Sequence, residues 1–111
     1  MEIGKEELLR INKGFGGELR NSSSFEYALD IQKNKKLGIY KKLSYLMRAI
    51  LVDHPFTDGN KRTAAYIALK FANECNKEVD RESLLHHIIA IAKDNITDIR
   101  QIEWRMKNAI K

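Results

Sequence analysis

The chain is poor in the residues that staple, kink or anchor a fold. Among its 111 residues there is one cysteine, Cys75, so an intrachain disulfide is excluded. Cys75 shares an apolar stripe with Ala64, Ile67, Ala68, Phe71 and Ala72, and there it reads as a small hydrophobe rather than a nucleophile. No apolar run is long enough to form a membrane span, and no signal-like pattern opens the sequence, so a cytoplasmic protein with no membrane partner is expected. Glycines are few. Gly14, Gly16 and Gly17 fall short of the GxGxxG spacing because Leu19 stands at the third position, and no Walker A sequence follows. Two familiar phosphate loops are thereby removed, and Gly14-Phe15-Gly16-Gly17 reads as a structural loop.

What is present is charge and helical periodicity. Lysine and arginine outnumber the acids to give a formal charge of +5 and a pI of about 9.4. Such a balance suits an acidic partner such as a nucleotide or a ribosome-associated protein, and equally keeps a small domain soluble. A chain of 111 residues can bury one modest core, so residues 1–111 are expected to form a single domain. The patterning is all-α. A short helix over Glu6–Asn12 is followed by one from Ser23 to about Gln32, opened by a Ser23/Glu26 capping box with Phe25, Ala28 and Leu29 inward. A third helix from about Gly38 to Asp53 carries Leu43, Leu46, Met47, Ile50 and Leu51 at helical spacing. After the helix that holds Cys75, Asp80 is the N-cap of a helix running to about Lys93. A last helix from Thr97 turns Ile99, Ile102, Met106 and Ile110 inward, with Trp104 at its margin. His86 and His87 are adjacent and so point in different directions on a helix. They make poor joint metal ligands, and one is expected at the core edge with the other exposed.

The run from His54 to Ala64 holds the chemistry. Pro55, the only proline, disfavours helical geometry at His54, so the arriving helix should stop and leave an imidazole at a loop entrance. Histidine is the side chain that titrates nearest neutrality, which suits a general base accepting a hydroxyl proton. Phe56, flanked by polar residues, is the expected anchor of the loop in the core. Asp58 offers the hard oxygen that Mg²⁺ prefers when it also binds nucleotide phosphates. Gly59 supplies a turn, and Asn60 is placed as N-cap of the next helix, whose first N–H groups would face an anion. Lys61 and Arg62 oppose the helix dipole by about 0.3 to 1 kcal/mol each, so two in succession imply an anion there.

The segment His54-Pro55-Phe56-Thr57-Asp58-Gly59-Asn60-Lys61-Arg62 resembles the signature loop of the Fic/Doc (Fido) family, His-Pro-Phe-x-Asp/Glu-Gly-Asn-Gly/Lys-Arg, at every specified position. Lys61 with Thr63-Ala64 is most similar to the death-on-curing (Doc) branch. The adenylylating branch carries a second arginine at the position that is Ala65 here. The resemblance implies a compact helical bundle with His54 as the base for a target hydroxyl and Asp58 holding the metal. It also implies that Gly59, Asn60, Lys61 and Arg62 bind nucleotide phosphate. Without the second arginine it implies the inverted pose of ATP, in which the γ-phosphoryl group moves. The family's target-holding flap is similar in position to the basic connector between the second and third helices, which gives Lys36, Leu37, Gly38 and Ile39 that role. Ser22 to Glu26 matches five positions of the family's self-inhibiting motif, but Tyr27 breaks it and the match reads as chance.

The expected activity is therefore Mg²⁺- and ATP-dependent phosphotransfer to a serine or threonine hydroxyl of a cytoplasmic protein. By resemblance that protein is a translation factor and the brake is a small antitoxin. The alternative chemistry is nucleotidyl transfer (AMPylation) with the same base and metal. A different class, a basic helical nucleic-acid-binding module, would have Lys61, Arg62 and the Lys33 to Lys42 cluster contact backbone phosphates. Asp58 argues against direct nucleic-acid binding, since a carboxylate between His54 and the cations repels phosphate unless a metal intervenes.

Overall fold

Leu43, Leu46, Met47, Ile50 and Leu51 recur at the spacing of a helix face, and in a computed structural model covering residues 1–111 all five are buried on the central helix. The chain folds as six helices: α1 (Lys5–Gly14), α2 (Ser23–Ile31), α3 (Ile39–Leu51), α4 (Asn60–Glu74), α5 (Arg81–Lys93) and α6 (Ile99–Ala109). Helix α3 is the hub, packed against α2, α4, α5 and α6, while α1 lies along α4. No strand forms; the two antiparallel bridges are isolated pairs, Leu19 with Phe56 and Val79 with Ile110.

The inward face of α4 is built from small side chains, Thr63, Ala64, Ala68 and Ala72, between Ile67 and Phe71. Small residues let neighbouring helices approach closely, which sets the start of α4 firmly against α1 and α3. Helix α5 begins as its sequence suggests, the Asp80 side chain accepting from Ser83 N; α6 begins at Ile99 rather than Thr97, with Asp98 as the N-cap accepting from Arg100 N. Helix α2 does not begin as its sequence suggests. Asn21 Oδ1 accepts from both the N–H and the hydroxyl of Ser23, and Glu26 turns away to pair with Lys5 at 2.7 Å. The capping box expected there is absent because a better-placed acceptor precedes it and a cation draws off the glutamate.

His87 is the histidine at the core edge and His86 the exposed one. Burial first, then the neighbouring Arg105 and His86, hold His87 below the ordinary histidine range. Arg105 Nη1 lies 3.0 Å from Nδ1, and the Asn108 amide faces Nε2 at 3.4 Å. Trp104 is exposed and meets the His87 ring edge to face. Cys75 ends α4 half-buried. No helix is long and apolar enough to cross a membrane.

Candidate active site

Helix α3 ends at Leu51, and two turn residues carry the chain to His54. With proline following, His54 does not stay right-handed. It adopts φ +48°, a left-handed conformation that costs a non-glycine residue about 1 to 3 kcal/mol. The α1–α2 connector holds it there. Arg20 Nη2 donates to the His54 carbonyl oxygen at 2.8 Å. The next carbonyl, Pro55, accepts from Arg20 N at 2.7 Å and from Asn21 N at 3.1 Å. Thr57 N donates to Glu18 O at 2.9 Å, and Glu18 N returns a bond to Thr57 Oγ1 at 3.0 Å. Residues 18–21 thus lie strand-like beside residues 54–57.

Phe56 is 1% exposed and stacks on Phe25 with ring centroids 5.9 Å apart, a contact worth about 1 kcal/mol beyond the area it buries. Asn60 is not the N-cap. That position is Gly59 at φ +73°, and Asn60 is the first residue of α4. Its amide instead closes the loop on itself, accepting from Phe56 N at 3.3 Å and donating to Phe56 O at 3.0 Å. The geometry explains the exchange: a left-handed glycine already turns the chain into the helix, which frees the asparagine to fix the loop's width. The first N–H of the helix with a partner is Thr63 N, bonded to Gly59 O at 2.8 Å, so the N–H groups of Asn60, Lys61 and Arg62 have no protein acceptor.

Two residues that the sequence did not assign to the site, Asn12 and Gly17, support the loop from behind. Asn12 at the end of α1 is 1% exposed. Its amide nitrogen donates to Asp58 O at 2.8 Å and to Thr63 Oγ1 at 3.1 Å. Its Oδ1 has no partner and fills the space a side chain at position 17 would need. A Cβ on Gly17 would overlap both this oxygen and the Asp58 carbonyl, so only glycine lets the connector approach the loop. The signals were faint ones: a polar residue on the inner side of α1, and a glycine pair after it.

On the open side, His54, Thr57, Asp58, Gly59, Asn60, Lys61 and Arg62 line one cleft of about 320 Å³ with no hydrophobic residue in its wall. Asp58 Oδ1 accepts from Gly59 N at 2.8 Å, which leaves the other carboxylate oxygen without a partner. Lys61 and Arg62 are exposed and belong to none of the ion pairs. Three residues with unpartnered N–H groups, two of them unpaired cations, line one polar hollow, an arrangement that could hold an anion. A single carboxylate at its edge fits Mg²⁺, which is commonly held by one or two carboxylates together with substrate phosphates.

The structure does not bring Lys36, Leu37, Gly38 and Ile39 to this cleft. Lys36 N and Leu37 N bond back to Asn34 in a tight turn, Gly38 is the N-cap of α3, and Ile39 is its first residue. Helix α3 has 13 residues and spans about 20 Å, with this connector at one end and His54 beyond the other. The only segment paired strand-like with the loop is Glu18–Asn21.

Residues 6–72 match the family model described as Fic/DOC family. No curated protein and no solved structure gives a match. The match covers more than half of the chain and takes in the connector, the loop and nearly all of α4, so this protein belongs to the Fic/DOC family.

Proposed function

We propose that the chain is a Doc-like transferase in which residues 1–111 act as one domain to move the γ-phosphoryl group of ATP onto a serine or threonine hydroxyl of a target protein. The observation that carries this reading is the all-polar cleft, which sets an imidazole and a carboxylate beside unpartnered helix N–H groups and two free cations. His54 takes the hydroxyl proton. The freed oxygen attacks the γ-phosphorus, the bond to the β–γ bridging oxygen breaks, and ADP leaves with that oxygen. The main-chain N–H groups of Asn60, Lys61 and Arg62, with the Lys61 and Arg62 side chains, hold the phosphate oxygens where charge spreads in the transition state. Gly59 permits the approach and Asn60 keeps the loop at its width. Asp58 would hold Mg²⁺, which when bound neutralises phosphate charge. Ala65 carries no guanidinium for the terminal phosphates, which favours the pose with the γ-phosphorus at His54 over one with the α-phosphorus there.

The target peptide would lie along the Glu18–Asn21 segment, the main chain nearest His54 with strand-like geometry. A translation factor as target and a neighbouring antitoxin as brake follow from the Doc likeness. Controlled expression in a bacterial host tests the reading. The wild type should arrest growth through translation, His54→Ala should not, and harmless expression of a folded wild type would contradict a toxin.

A further inference from the structure

The phosphate cleft has no apolar wall, so a nucleotide whose phosphates lie there must place its base elsewhere. One cavity beside the motif helix offers a suitable surface. It has a volume of about 370 Å³ and is lined by Glu7, Arg10, Ile11, Gly14, Phe15 and Tyr66, between α1 and α4. Phe15 and Tyr66 meet edge to face, with ring centroids 6.4 Å apart, and Tyr66 keeps 48% of its surface exposed. The Tyr66 hydroxyl makes no hydrogen bond and no core contact demands the ring.

Two features join this cavity to the cleft. Tyr66 follows Arg62 by four residues, hence lies on the same face of α4 about 6 Å further along its axis. Phe15 closes on the turn of the loop itself, since a Cβ on Gly59 would come within 3.0 Å of Phe15 Cβ. Helices α1 and α4 run antiparallel here, with Glu7 near Lys70 and Phe15 near Tyr66, so the Phe15 end of the groove is the one next to the loop. We propose that the Phe15–Tyr66 cavity receives the base of the nucleotide, a purine stacked against the Tyr66 ring with Arg10 and Glu7 in reach of its polar edge. The proposal rests on the phosphate reading of the cleft and adds a direction to it. A nucleotide entering from the Tyr66 side presents its α-phosphate first, to Arg62, and its terminal phosphate last, toward Asp58 and His54.

The test compares the Mg²⁺ complexes of ATP and of inorganic tripolyphosphate, titrated by calorimetry into the wild type, Tyr66→Ala and Tyr66→Phe. Tyr66→Ala should bind ATP about tenfold or more weakly while tripolyphosphate affinity stays unchanged, and Tyr66→Phe should bind both like the wild type. Adenine protons of bound ATP should show nuclear Overhauser contacts to the Tyr66 ring. Equal ATP affinity in Tyr66→Ala, or wild-type binding of tripolyphosphate as tight as that of ATP, overturns the base site and leaves the phosphate cleft standing. A wild type that binds neither compound overturns both.

Discussion

Arg20 reaches across 34 residues of chain to donate from its guanidinium to the carbonyl oxygen of His54 at 2.8 Å. The residue it holds is the left-handed one on which the proposed base depends. Arg20 is exposed, and the main-chain pairing of its segment does not need its side chain. Arg20→Ala is therefore expected to leave the melting temperature and ATP affinity near wild type while the transfer rate falls. Misplacing a catalytic group by about 1 Å can cost on the order of 10²-fold. Arg20→Lys, which keeps one donor, should recover part of the rate. Unchanged turnover in Arg20→Ala, or a change confined to nucleotide affinity, would refute a positioning role.

Gly14 and Gly17 lie three residues apart and should respond oppositely to the same change. A Cβ at Gly14 meets nothing, whereas one at Gly17 overlaps Asn12 Oδ1 and the Asp58 carbonyl. Gly17→Ala should destabilise by about 1 to 3 kcal/mol, and Gly14→Ala should be neutral or slightly stabilising. Denaturant titrations giving equal stability for both variants would show that the connector does not approach the loop as described.

Asp58→Asn keeps the side chain's shape and removes its charge. Metal-dependent ATP affinity should drop, and metal-free affinity should hold or rise as repulsion of phosphate is relieved. Equal Mg²⁺-ATP affinity in the two proteins would reject Asp58 as the metal ligand.

His87 supplies a pH dependence unrelated to the cleft. Its folded-state pKa is lowered, chiefly by burial and then by Arg105 and His86, so on acidification the unfolded chain takes up this proton before the folded one does. The stability contribution is full above the ordinary histidine range, near pH 6.5, and is lost as the pH falls through that range to the lower folded value. Unfolding titrations at pH 7.5 and pH 5.5, values chosen to flank about 6.5, should show the wild type losing more stability than His87→Gln. Parallel losses in the two proteins would mean that His87 is not the group responsible.

The lining of the cleft was legible because it is local: His54 through Arg62 are consecutive, and every lining residue but Thr57 is one whose type suggested a site. The helices were legible for the same reason, since each carries its own apolar period. What the sequence hid lies across the fold. Asn12, Gly17 and Arg20 matter only because the α1–α2 connector folds onto a loop some forty residues later, and composition does not say which connector will do so. The basic segment 33–38 looked the more suggestive one, but the length and direction of α3 carry it away from His54. Asn60 followed a similar course. Its type suits an N-cap, and only the left-handed φ of Gly59 reveals that the cap lies one residue earlier.

The most direct test of the central claim is to follow which phosphate leaves ATP. Wild type and His54→Ala would each be incubated with a cell extract, Mg²⁺ and ATP labelled at either the α or the γ position. The account predicts protein-bound label from γ-labelled ATP with the wild type alone, and none from α-labelled ATP with either protein. Label from the α position would contradict phosphotransfer and establish nucleotidyl transfer in its place. Full γ-transfer by a folded His54→Ala would remove His54 as the base.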